Sequence, residues 1–127
     1  MKYALFGLLL LGLVGCVKET IPGRADPDVR RQIHFTDPEL ANKTAVSPPI
    51  MERRNGILYV TVPVRSARDR DFHVDWRVTF FNENGVPIEG PSSWSGVTLP
   101  ANTPAFIKVN STNANAADFQ MDIRWAQ

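Results

Sequence analysis

The sequence predicts an all-β domain, an antiparallel sandwich, on three observations. Apolar and polar residues alternate in runs over much of residues 57–125, no segment sustains a helical period, and clusters of Asn, Asp, Gly and Pro divide the runs at short intervals. Period-two patterning marks strands with one buried face. Several such strands separated by turn signals point to a sandwich rather than to parallel α/β architecture.

An export segment stands ahead of this domain. Lys2 precedes an uninterrupted apolar run over residues 4–14, and small Gly15 then leads to Cys16. A positive start, an apolar stretch of about 7 to 15 residues and a small residue at the cut make a secretory signal peptide. A membrane-spanning helix needs roughly 20 apolar residues, more than the run supplies. Leu13-Val14-Gly15-Cys16 resembles the lipobox of bacterial lipoproteins. That resemblance implies signal-peptidase recognition through Leu13, Val14 and Gly15, cleavage before Cys16, and acylation of Cys16 at its sulfur and its new N-terminus. Each buried methylene contributes about 0.8 kcal/mol, and two or more chains anchor stably where one does not. The competing reading of Cys16 is a buried free thiol. Its place at the end of a signal peptide, as the only Cys of the chain, favours lipidation. Val17 in place of Asp after it implies the outer membrane of a Gram-negative bacterium, with the domain facing the periplasm.

The expected organisation is a signal peptide at 1–15, a lipidated N-terminus and flexible tether at 16–28, and a β-sandwich at 29–127. Residues 18–28 combine Pro, Gly and charge without periodicity, and eleven such residues span roughly 18 Å. Removing the first 15 of 127 residues leaves 112, with 13 basic and 13 acidic side chains once Lys2 is gone. A formally neutral domain lacks the basic stripe of a nucleic-acid binder and the charge for recruitment to anionic lipid. With Cys16 acylated, the fold uses no disulfide.

Within the domain, Ile33 and Phe35 alternate with His34 and Thr36 as a weak strand. Asp37 can cap one helical turn with Pro38 at its first position. Pro48-Pro49 cannot donate to a ladder, so any strand there is broken or lies at an edge. From Asn55-Gly56 onward, Leu58, Val60, Val62 and Val64 form a buried face, and Pro63 on the outward set predicts an edge strand or a bulge. Phe72, Val74, Trp76, Val78 and Phe80 form a second buried face. The short polar loop between these runs predicts that they pair as a β-hairpin. Residues 82–85 (Asn-Glu-Asn-Gly) mark a turn. Short extended pieces follow at 86–88 and 97–99, then alternating strands carrying Ala105, Ile107 and Val109, and Phe119, Met121, Ile123 and Trp125.

Several of these stretches are similar to the YcfL-like family of bacterial lipoproteins. The residues that carry the resemblance are Arg53-Arg54-Asn55-Gly56-Ile57-Leu58, the strand and turn from Trp76 through Gly85, Trp94 with Val97-Thr98-Leu99, and Ala117-Asp118-Phe119. Asn82 stands where the family commonly has Asp, and Phe80 where it commonly has Trp. The resemblance spans about residues 33–123 and implies an immunoglobulin-like β-sandwich in the periplasm without catalytic residues.

No constellation for chemistry emerges from the residues themselves. His73 and Asp75 share one strand face and could approach a metal, but a third ligand is wanting and Arg77 beside them repels a cation. An outer-face polar ladder is the simpler reading. Arg65, Arg68, Asp69, Arg70 and Asp71 alternate in sign and read as a solvated loop, with Arg68 and Arg70 as candidate partner contacts. Arg53-Arg54 reads as a solvated turn. Trp94, in a Ser/Gly/Pro loop, is the leading contact candidate, since aromatics and Arg are enriched at binding hot spots. The alternative for it is a loop aromatic folded over one end of the sandwich. No phosphate cradle or Gly-x-Ser-x-Gly elbow is present, and acylation removes the only thiol nucleophile. The expectation is therefore a non-enzymatic, lipid-anchored accessory protein with no cofactor and no metal, binding a protein partner in the envelope. Its alternatives are a carrier of a small ligand or cell-wall glycan, and an accessory lipoprotein of a secretion system.

Overall fold

The computed structural model describes Ile21, Pro22 and residues 31–127. Leu13, Val14, Gly15 and Cys16 lie outside the described residues. In chain order the elements are β1 (Ile21–Pro22), β2 (Ile33–Phe35), α1 (Pro38–Lys43), β3 (Thr44–Val46), β4 (Ile50–Arg54), β5 (Ile57–Ser66), β6 (Phe72–Phe81), β7 (Pro87–Glu89), β8 (Ser95–Leu99), β9 (Ala105–Asn110) and β10 (Asp118–Trp125). They form two five-stranded sheets packed face to face.

The first sheet is built on β5. One of its edges carries β9, and the other carries β4 and β3 in tandem, with β1 outside β3. Ser47, Pro48 and Pro49 separate β3 from β4 and stand opposite only Val62 and Pro63, because the register runs Val46↔Val64 before the break and Ile50↔Thr61 after it. The broken strand expected at Pro48-Pro49 is thus a bulged one. Pro63, by contrast, is not on an edge: β5 is central and Pro63 is buried. Its carbonyl accepts from the Ser47 N–H at 3.0 Å, so its missing N–H would face the same break. Three prolines meet where the ladder has a gap, and a central strand tolerates Pro63 for that reason. Ile21–Pro22 falls in the stretch read as tether and pairs antiparallel with Val46 and Ala45.

The second sheet is built on β6 and β10, paired antiparallel from Asp118↔Phe81 to Trp125↔Val74. β7 and β8 line the other edge of β6. β2 joins β10 in parallel, which makes this sheet mixed rather than purely antiparallel. The parallel pair arises because β2 reaches the sheet from the far end of the chain rather than through a hairpin.

The predicted hairpin between the two longest runs does not form. β5 and β6 lie in opposite sheets, and residues 67–71 carry the chain across the sandwich. Main-chain bonds from Ser66 to Pro100 (2.9 Å) and from Ala67 to Lys43 (2.8 Å) fix the crossing. Two alternating runs each demand one buried face, and stacking face to face satisfies that demand as fully as pairing edge to edge. The hairpin partner of β5 is β4, across Asn55 (φ 51°) and Gly56 (φ 81°). Positive φ at both loop residues is the geometry that Asn-Gly favours in two-residue hairpins.

The faces themselves are as predicted. Leu58, Val60, Val62 and Val64 pack with Ile107 against Val74, Val78, Phe80, Leu99, Phe119, Met121 and Ile123 of the second sheet. Leu40 of α1 closes one end, fully buried. Asp37 caps that helix, its carboxylate accepting the Glu39 N–H at 2.8 Å. Asn82 nucleates the β6–β7 turn by accepting the N–H groups of Asn84 (2.9 Å) and Val86 (3.0 Å).

Candidate functional site

The segment between β7 and β8 leaves the ladder. Phe80 pairs Glu89 and Trp76 pairs Ser95, so residues 90–94 bulge opposite only residues 77–79. Two bonds pin the bulge to β6: Ser92 N–H to the Val78 carbonyl at 2.9 Å, and Val78 N–H to Ser92 Oγ at 3.1 Å. Gly90 makes this approach sterically open. Its φ is +98°, and a Cβ there would lie 2.6 Å from the Val78 carbonyl oxygen.

The bulge delivers Trp94 onto the solvent face of the second sheet rather than over an end of the sandwich. There it is half-buried against two guanidinium groups, Arg77 at 4.6 Å and Arg124 at 4.0 Å from the ring centroid. The register explains the convergence. Arg77 sits opposite Asp122 and Arg124 opposite Asp75, so each arginine faces a carboxylate across the β6–β10 pair. Arg77 Nε donates to Asp122 Oδ2 at 2.9 Å, and Arg124 Nε to Asp75 Oδ2 at 3.3 Å. His34 of β2 and Gln120 also reach Asp122, at 3.3 and 3.2 Å. The result is a charged ladder across three strands with an aromatic plate on it. Each cation–π contact at such a site contributes about 0.5–1 kcal/mol, and ion pairs at the surface contribute about 0–1 kcal/mol, toward the upper end for part-buried pairs such as these. The network therefore orients Trp94 more than it stabilises the fold.

Other candidates lie elsewhere. His73 bonds Thr98 Oγ1 at 3.0 Å and Asp75 turns to Arg124, so this pair does not converge. Among the described residues no group of three or more His, Cys, Asp or Glu is placed to hold a metal ion. Arg68 and Arg70 are exposed on the crossover loop, Arg70 lying 5.6 Å from the Phe72 ring. From Phe72, beside Arg70, to Trp76, level with the bulge, is about 14 Å along β6 at roughly 3.4 Å per residue. They and Trp94 form separate surfaces. Arg53 and Arg54 are exposed beside the Asn55-Gly56 turn, as expected, but Arg53 is also bound. Its guanidinium donates to the carbonyls of Ala116 (2.7 Å), Gly56 (2.9 Å) and Ala114 (3.4 Å), clamping the 111–117 loop to the β4–β5 hairpin. Arg124 was absent from the sequence candidates. Its signal was its place on the polar face of an alternating strand, which names no partner until the register with β6 is known.

Fold and face together define a two-sheet β-sandwich carrying a cross-strand charged ladder topped by tryptophan. A family model described as a protein of unknown function, DUF1425, matches residues 31–125, and the chain belongs to that family. Solved structures share the fold, two of them as follows. The Campylobacter jejuni protein Cj0090 superposes with a TM-score of 0.65 at 16% identity, over 76% of this chain and 99% of that one. A DUF1425 family member from Shewanella sp. PV-4 gives a TM-score of 0.58 at 22% identity, over 66% of this chain and 79% of that one. No curated protein matches the sequence.

Proposed function

We propose that this chain is a non-enzymatic envelope protein, lipid-anchored through Cys16 at the outer membrane, whose sandwich binds another protein through the Trp94 side of its second sheet. The observation that carries the reading is Trp94 held against Arg77 and Arg124 on an open sheet face. Trp and Arg dominate binding hot spots, and a pre-oriented aromatic loses little conformational entropy on binding. The lipobox and the resemblance to YcfL-like lipoproteins support the anchor and the location. A carrier would want Trp94 in a pocket. The ring instead lies against Arg77 and Arg124 on the sheet face, outside three grooves of about 610, 480 and 430 Å³, an arrangement suited to a protein surface.

The test is photo-crosslinking in the native envelope from a reactive side chain at Ser93, an exposed neighbour of Trp94. Wild-type protein is expected to give a discrete adduct with another protein, and Trp94→Ala to reduce it at least tenfold. The substitution forfeits two cation–π contacts and the burial of half a ring, so stability should fall by less than the roughly 3–5 kcal/mol of a fully buried aromatic. An adduct unchanged in Trp94→Ala would contradict the reading.

A further inference from the structure

The edge of the first sheet beside the Trp94 bulge is open for strand pairing. The carbonyl of Leu58 accepts from Ser111 N–H at 2.9 Å on the β9 side, and that of Pro63 accepts from Ser47 N–H at 3.0 Å on the β3 side. Alternate residues of β5 thus direct their main-chain groups to opposite neighbours. In an antiparallel ladder, directly opposed residues either bond each other or both point away. Phe106, Lys108 and Asn110 stand opposite Pro63, Thr61 and Tyr59, so their N–H and C=O groups point away from β5. Among the described residues no main-chain group bonds them from that side.

Two further features distinguish this edge. Phe106 is 56% exposed on it, a large apolar side chain without cover. A groove of about 480 Å³ opens between β9 and the bulged β7–β8 strand, with Trp76, Val78, Phe80 and Val109 among its lining residues. The edge therefore offers a main-chain ladder and, below it, apolar space between the sheets. Two of the other edges are poorer. β4 follows Pro48-Pro49 and carries Glu52, Arg53 and Arg54, features that blunt an edge, and β2 has three residues.

We propose that β9 receives an extended segment of the protein partner as an added strand, with alternate apolar side chains entering the groove and an acidic residue opposite Lys108. The inference rests on the protein-binding reading above and names how the partner docks. Strand addition draws affinity from main-chain hydrogen bonds and specificity from pockets for alternate side chains. Lys108 is exposed on the outward face of β9, and the cross-strand neighbour that complements it is a carboxylate. A second copy pairing through its own β9 fits less well, because that strand (Ala105–Asn110) carries no carboxylate to set opposite Lys108.

The experiment uses the full-length protein in its native envelope, with the photo-reactive side chain at Ser93. Lys108→Pro removes one outward N–H and leaves the β5–β9 bonds intact, since Lys108 directs no donor to β5. It is expected to reduce the partner adduct at least tenfold with unchanged circular dichroism. Lys108→Glu keeps the N–H and the fold while reversing the charge, and is expected to reduce the adduct severalfold, with Lys108→Arg restoring it. An undiminished adduct in both Lys108→Pro and Lys108→Glu overturns strand addition and leaves the protein-binding reading standing. Absence of any wild-type adduct overturns both. A wild-type adduct of twice the chain's mass overturns the partner in favour of self-pairing.

Discussion

Phe80→Ala is expected to destabilise the domain by about 3–5 kcal/mol, the range for truncating a buried aromatic. Phe80 is 2% exposed, near the C-terminal end of β6 and directly opposite Phe119 of β10, which is itself 2% exposed. Removing its ring leaves a cavity bounded by both sheets, and close-packed neighbours collapse into such a void only in part. Total stability of a domain this size is about 5–15 kcal/mol, so the loss is a large share of it. Tm should fall by on the order of 10–25 °C. Phe106→Ala is the matched control, because 56% of that side chain is already in water. Equilibrium unfolding in urea measures both. Equal effects from the two substitutions would mean that the faces of these strands are wrongly assigned.

Gly90→Ala should rank next, and Gly85→Ala shows why. Both glycines have positive φ, +98° and +74°, so both substitutions carry backbone strain. Such strain costs on the order of 1–3 kcal/mol. The space around them differs. A Cβ on Gly85 meets nothing within 4 Å, whereas on Gly90 it lies 2.6 Å from the Val78 carbonyl and 3.2 Å from Ser92 N. Relief of that clash must displace main chain, and the nearest main chain is the Ser92–Val78 pair that sets the bulge. Gly90→Ala is therefore expected to exceed Gly85→Ala by at least about 1 kcal/mol, the worth of one such bond, and to release Trp94 from its arginines. Thermal unfolding of the two variants side by side gives the difference. Equal losses would show that the bulge tolerates a side chain.

How much of this was legible from the residues depends on the range of the signal. The buried faces of β5, β6 and β10 follow from alternation alone, as the burial of Leu58, Val60, Phe80 and Met121 shows. The Asp37 cap and the Asn82 turn are local too, each a side chain bonding main chain a few residues on. Alternation is silent on which strand lies beside which. A run with one buried face can pair with the next run or stack on it, and the crossover at residues 67–71 took the second course. The stronger hairpin signal was Asn55-Gly56, whose two residues both need positive φ. Of the two readings of Pro63, an edge strand or a bulge, the bulge is the one that forms. A proline forbids one donor, and a central strand can spare that donor where its neighbour is itself broken by Pro48-Pro49. The Trp94–Arg77–Arg124 cluster joins a bulge residue to residues of two strands and exists only through the β6–β10 register. Sequence supplied Trp94 but neither of the cations that hold it.

Everything proposed for this domain depends on its being held at a membrane by Cys16, and lipid labelling tests that directly. Cells expressing the wild-type chain or Cys16→Ser would be fed a radiolabelled fatty acid, and the protein then fractionated and its size measured. The wild type should carry label, lose the first fifteen residues and sediment with the outer membrane, as two or more acyl chains suffice for stable anchoring. Cys16→Ser should be unlabelled and keep its full length. A Cys16→Ser protein that is still cleaved and still labelled would contradict the account.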